Sequence, residues 1–99
     1  MVFDQLKMIN QLRKAQKELG KEIVEVDAGG GAVSVQITAE LKVKQIKIDP
    51  LRVDADDIHE LERWLESAIN DGYAKAQQIA AEKMQPLLGQ MGLGGNTPQ

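Results

Sequence analysis

The chain has 99 residues, no cysteine, one histidine and a formal net charge of −3 at pH 7. This length fits one domain, and no stretch approaches the ~20 apolar residues that a membrane-spanning helix needs. The lack of cysteine and of a secretory leader pattern predicts a cytoplasmic protein without disulfide bonds and without a membrane partner.

The reactive side chains argue against catalysis. The serines are Ser34 and Ser67, the histidine is His59, and all three fall inside predicted helices or strands instead of a cleft-forming loop. One histidine without cysteine also disfavours a zinc site. We therefore predict a binding protein and not an enzyme, with no catalytic residue, metal ligand, cofactor or small-molecule substrate.

The first 20 residues have the pattern of an amphipathic helix. Leu6, Ile9 and Leu12 recur at a spacing of three, which places them on one side of a helix. Gly20 stands where a helix C-cap belongs. The pattern predicts a helix of about 17 residues. The rest of its surface carries basic side chains: Lys7, Arg13, Lys14, Lys17 and Lys21.

Three β-strands are predicted in the middle of the chain. Residues 23–26 are rich in β-branched side chains, and the glycines at 29–31 predict a hairpin loop. In the second strand residues 33, 35 and 37 are apolar, whereas 34, 36 and 38 are polar. A third strand is predicted from Leu41 to Asp49, with a bulge near Lys44 and Gln45 because the apolar positions shift there by one residue.

A second, longer helix is predicted after the sheet. Asp54 is its predicted N-cap, and apolar or small residues continue at helical spacing to Gln85, over about 30 residues. Such a helix is much longer than a three-stranded sheet is wide. We therefore predict that a second copy of the chain covers the overhang, and that three small residues allow its close approach: Ala68, Gly72 and Ala76.

Pro86 is predicted to end this helix, because proline disrupts a helix interior. The chain then divides into a folded domain at residues 1–85 and a flexible tail at residues 86–99 that contains glycine and proline. A monomeric core of this size would be thin, which also favours a dimer.

Charge is unevenly distributed along the chain. Residues 1–21 hold five basic and two acidic side chains, whereas residues 49–71 hold eight acidic and two basic ones. Acidic residues at the start of the second helix suit its dipole. Basic residues on an amphipathic helix often serve only to solvate it, so their spacing leaves open both a solvated surface and a nucleic-acid contact.

Four stretches carry a resemblance to a known family. They are GAVSVQIT from Gly31, IKIDP ending at Pro50, LESAINDGYAK from residue 65 to 75, and EKM at residues 82–84. Together with the α-β-β-β-α order they resemble the YbaB/EbfC family of bacterial nucleoid-associated proteins, over about residues 3–85. The resemblance implies an α+β fold with a three-stranded antiparallel sheet and two long helices. It also implies a tweezer-like homodimer whose protruding helices grip double-stranded DNA at the nucleoid.

The same resemblance implies which side chains contact DNA. The family's basic helix positions carry over to Lys14 and Lys17 in the first helix and to Lys75 and Lys83 in the second. Helical spacing adds Arg13 and Lys21, because each lies four residues from Lys17 and so shares one helix edge with it. The predicted DNA-binding residues are therefore Arg13, Lys14, Lys17, Lys21, Lys75 and Lys83.

The predicted function is that of a nucleoid-associated DNA-binding protein that organises the nucleoid or regulates gene expression. The alternative is a protein-interaction adaptor whose long helices bind another protein, with the basic surface incidental. Binding that weakens steeply with salt separates the two, because phosphate contacts release counterions from DNA.

Overall fold

The computed structural model describes residues 2–90, in which two helices flank three strands. Helix α1 spans Val2–Leu19, strands β1, β2 and β3 span Ile23–Ala28, Val33–Thr38 and Val43–Ile48, and helix α2 spans Ile58–Gln90. The molecule is elongated, with extents of 63 × 31 × 15 Å. The predicted α+β class and α-β-β-β-α order are confirmed. Neither of the described helices is long and apolar enough to cross a membrane.

The sheet is antiparallel throughout, with strand order β1-β2-β3. The apolar residues of β2 are completely buried, as their alternation predicts. Gln36 pairs with Gln45 but Ile37 pairs with Val43, so Lys44 is the extra residue of a β-bulge. The bulge predicted from the shift in apolar phase is confirmed.

The segment after β3 holds the hairpin turn between β1 and β2. Arg52 donates from Nη1 to the carbonyl oxygen of Gly30 at 2.9 Å and from Nε to the Asp49 carboxylate at 3.2 Å. The other oxygen of Asp49 accepts from the Leu51 amide at 3.0 Å. These bonds link the segment that follows β3 to the turn between β1 and β2.

Helix α2 lies over β1 and β2, and its small residues face that sheet. Ala68 and Ala76 are completely buried in the core. A Cβ at Gly72 would come within 2.5 Å of Ile37 Cδ1. These residues allow α2 to approach its own sheet, so the prediction that they seat a helix of a second copy is wrong.

The N-cap of α2 is Asp57 and not Asp54. Asp57 Oδ1 accepts a hydrogen bond from the amide of Glu60 at 3.2 Å, and the helix begins at the next residue, Ile58. Asp54 instead accepts from the amide of Asp56 at 2.9 Å, inside the preceding turn. Asp54 and Asp57 can each cap a helix, so residue type alone did not distinguish them.

Helix α2 continues through Pro86 to Gln90, so the predicted end at Gln85 is wrong. Proline removes one backbone hydrogen bond from a helix. Here the helix continues through this position, and Pro86 and Leu87 line a cleft that residues of α1 complete. The tail predicted at 86–99 therefore starts with helical residues, and its remainder, 91–99, lies outside the described residues. A domain boundary at residue 85 stays a prediction.

Candidate nucleic-acid interface

Helix α1 and the C-terminal part of α2 form an arm at one end of the molecule, which we call the basic arm (residues 2–22 and 80–90). The last residue of α2 that packs on the sheet core is Ile79. Beyond it, Lys83, Pro86 and Leu87 share a cleft with residues of α1. The overhang of α2 therefore packs on the first helix of the same chain, where the sequence predicted a second copy.

The cleft between the two helices brings together two of the predicted DNA-binding residues. Lys14 of α1 and Lys83 of α2 both line it, with Gln11 and Ala15, and its volume is about 260 Å³. Both lysines are exposed. Two lysines from different helices at one cleft are suited to a phosphate, because each presents three donors and a positive charge.

The other four predicted residues are exposed but do not line the cleft. Arg13 and Lys17 lie one turn apart on α1. Lys21 follows the end of the helix, where its amide donates to the carbonyl of Glu18 at 3.0 Å. Lys75 lies about 12 Å along α2 from Lys83, at 1.5 Å per residue. The structure thus brings Lys14 and Lys83 to one cleft and leaves the other four exposed elsewhere.

Two of the four acidic side chains of the basic arm lie near the cleft lysines, and sequence reasoning did not assign them a role. Glu22 Oε1 lies 3.3 Å from Lys83 Nζ, and Glu18 lines the cleft that Lys14 and Lys83 share. The position of Glu18 near Lys14 could have been predicted, because residues four apart are neighbours on a helix surface. Glu22 and Lys83 are too far apart in sequence for any local pattern to pair them.

An apolar surface borders the basic arm. A groove of about 450 Å³ runs between α1, α2 and the turn between β2 and β3, lined by residues that include Leu12, Leu41 and Met84. Leu41 leads into β3, where three apolar side chains remain 39–45% exposed: Val43, Ile46 and Ile48.

These three side chains of β3, the β3 stripe, lie on the same sheet face as the core. They pair with the buried residues of β2, and paired residues share a face. The close packing of α2 is on β1 and β2. The hydrophobic face of the sheet therefore continues beyond α2 and remains half exposed in a single chain.

A small α+β domain that presents basic side chains from two packed helices has the features of a protein that binds a polyanion. Residues 2–91 match the model of the YbaB/EbfC DNA-binding family. The chain belongs to that family, which confirms the resemblance found in the sequence.

Relatives of known name support the same assignment. A nucleoid-associated protein of Chloroflexus aurantiacus is 49% identical over 82 residues, which cover 83% of this chain and 82% of the relative. A nucleoid-associated protein of Rhodococcus opacus is 43% identical over 88 residues, covering 89% and 78%. The crystal structure of an uncharacterized Helicobacter pylori protein shares the fold, with a TM-score of 0.68, 24% identity and 91% of each chain covered.

Proposed function

We propose that this protein binds double-stranded DNA at the nucleoid as a homodimer, through phosphate contacts from the basic arm and from Lys75 of α2. The observation that carries the proposal is that Lys14 of α1 and Lys83 of α2 line the same cleft. Arg13 and Lys17 extend the positive surface along α1. Membership of a DNA-binding family and the names of the relatives support the choice of DNA as the polyanion.

The chemistry of the proposed contacts favours binding of broad sequence specificity. Five of the six proposed contacts are lysines, which act as point charges toward phosphate, and phosphates carry no direct sequence information. The acidic segment at residues 49–71 includes the start of α2, at the opposite end of that helix from the arm. Charges separated by more than ~8–10 Å are largely screened at physiological salt, so a net charge of −3 permits moderate, micromolar-range affinity.

The β3 stripe supports the homodimer. Large exposed apolar patches on a soluble protein mark interaction sites, and obligate interfaces are apolar and often exceed ~2,000 Å². Strand pairing at the edge of β3 is disfavoured, because the bulge and the lysines of this strand are devices that protect sheet edges. We therefore place the second copy over the apolar face of β3, so that the dimer carries two basic arms.

A nucleoid-associated role in DNA organisation or gene regulation follows from such a dimer, because two arms can hold one duplex or two. We expect no catalytic activity. The adaptor function is the second candidate, and the apolar groove beside Leu12, Leu41 and Met84 favours it, since a helix of another protein could occupy such a groove.

The test of DNA binding is charge reversal on α1. The variant R13E/K14E/K17E should no longer retard duplex DNA in a gel, while its circular dichroism and its mass in solution match those of the parent. The matched control K42E/K44E/K47E makes the same change in charge away from the arm, in and beside β3. It should lose much less affinity.

The outcomes of this experiment separate the two candidate functions. If the α1 variant binds as well as the parent, α1 is not the DNA-binding surface. If the parent itself fails to retard DNA even at low salt, the adaptor function replaces the proposal. Parental binding should weaken steeply between 50 and 200 mM salt, on the order of tenfold for each few phosphate contacts.

A further inference from the structure

The backbone of Glu22 is held in place at the end of the α1 segment of the basic arm. It lies in the link between α1 and β1, where its carbonyl oxygen accepts a hydrogen bond from the amide of Ala39 at 2.9 Å. Its carboxylate reaches α2, with Oε1 3.3 Å from Lys83 Nζ. The side chains of Glu22 and Lys83 are 42% and 52% exposed, so the ion pair stands at the surface where a phosphate would approach.

Glu18 precedes Glu22 by four residues and is the second carboxylate near the cleft lysines. It lines the cleft together with Lys14 and Lys83, and it follows Lys14 by four residues on α1. Both lysines of the cleft therefore have a carboxylate close by. Among the six proposed DNA-binding residues, Lys83 is the one with an ion pair within 4 Å in the part of the chain that the structure describes.

We propose that Glu22, assisted by Glu18, holds Lys83 back from DNA and thereby sets the affinity of the arm. This inference rests on the proposed DNA binding. While Lys83 is paired with Glu22, its ammonium offers a phosphate fewer donors and less uncompensated charge. Because the backbone of Glu22 is bonded to Ala39, its carboxylate stays within side-chain reach of Lys83. It then remains close to the bound phosphate and repels it.

Because this exposed ion pair is weak, we expect Glu22 to lower the DNA affinity of the arm and not to abolish it. Exposed ion pairs are weak and open readily, so DNA can still recruit Lys83. Neutralising Glu22 removes both the competition for Lys83 and the repulsion of the phosphate. We expect E22Q to raise the affinity for duplex DNA about three- to fivefold at low salt, within the range that one exposed ion pair can supply. The double variant E18Q/E22Q should gain about tenfold.

The salt dependence of binding is a second measurement, and a change in the stability of the fold alone would not make it steeper. Each phosphate contact contributes about −0.9 to the slope of log K against log salt. If Lys83 engages a phosphate more fully in E22Q, the slope should become steeper by up to about 0.9. A merely structural role of Glu22 predicts an unchanged or shallower slope.

The experiment is a salt-titrated binding measurement on a fluorescent duplex, with the full-length parent and variants. E82Q is the matched control, because it removes the same charge from the residue next to Lys83, outside the residues that line the cleft. It should leave the affinity within twofold of the parent. The effect of E22Q should also largely vanish in a K83Q background, as a double-mutant cycle requires of coupled residues.

Several results would overturn the proposal while DNA binding stands. They are an unchanged affinity in E22Q, an equal gain in E82Q, and an undiminished gain from E22Q in the K83Q background. The second would assign the effect to net charge, and the third would separate Glu22 from Lys83. Failure of the parent and of every variant to bind DNA would instead refute the proposed function, and this inference with it.

Discussion

Trp64 lies directly against Gly29, so closely that a Cβ on Gly29 would come 2.5 Å from the indole Cδ2 atom. Gly29 opens the turn between β1 and β2 and has a φ of +64°. Trp64 belongs to the second turn of α2 and packs on the core. The hairpin turn therefore packs directly against α2. Only glycine allows both the left-handed backbone conformation at position 29 and the contact with Trp64.

Substitution of Gly29 should consequently destabilise the fold. G29A should lower the free energy of unfolding by about 2–4 kcal/mol, because a left-handed backbone and a displaced indole ring both add to the cost. G30A is the matched control, since Gly30 has a φ of +65° but nothing within 4 Å of a Cβ. It should cost only about 1 kcal/mol. Urea unfolding at one fixed protein concentration measures both, and equal losses would contradict the role assigned to Trp64.

Gly72 should show a dependence on Ile37. Alanine is the better helix former by about 1 kcal/mol, but its methyl group would meet Ile37 Cδ1 at 2.5 Å, and such overpacking costs about 1–3 kcal/mol. We expect G72A to destabilise the protein by about 1 kcal/mol. In an I37V background, which lacks that methyl group, G72A should be neutral or stabilising. A loss of equal size in both backgrounds would show that Ile37 does not limit the approach of α2.

The homodimer should depend on the β3 stripe. The parent should have about twice the mass of the 10.9 kDa chain in sedimentation at micromolar concentration, and I46E should be monomeric, because a charge would be buried in the interface without a partner. A stable parental monomer would refute the dimer.

Ile23 provides the control for that substitution. It is 42% exposed, against 45% for Ile46, but it pairs with Thr38, one position away from the buried pair of Val24 and Ile37. It therefore lies on the opposite face of the sheet. I23E should remain dimeric. Dissociation by I23E while I46E stays dimeric would place the interface on that other face.

Two truncations should distinguish the contribution of the end of α2 to stability from that of the residues beyond it. Removal of residues 91–99 should leave the melting temperature within a few degrees, because the glycines of this segment raise the entropy cost of ordering it. Removal of residues 86–99 also takes away Leu87, which is half-buried against α1. We expect it to cost about 1–2 kcal/mol, seen as faster amide exchange in α1. Equal behaviour of the two truncations would mean that Leu87 adds nothing to the arm.

Several features of the fold could be predicted from the sequence because their physical cause is local. The buried face of β2 follows from a side-chain period of two, and the bulge at Lys44 follows from the point where that period slips. The length of α1 follows from helical spacing that ends near Gly20. The resemblance to the family likewise depends on short stretches that are legible without a structure.

Other features were decided by contacts between segments that are far apart in the chain. Helix α2 runs past Pro86 where it shares a cleft with α1. The sheet beneath Gly72 explains a small residue that helical spacing had assigned to a partner.

The same holds within the candidate site. The sequence by itself determined that a basic amphipathic helix exists, and it predicted which of its side chains contact phosphate. Only the tertiary structure brought Lys83 beside Lys14 and set Glu22 against Lys83. The physical reason is that Coulomb attraction and packing depend on distance in space, and the folding of α2 back along α1 sets these distances independently of separation along the chain.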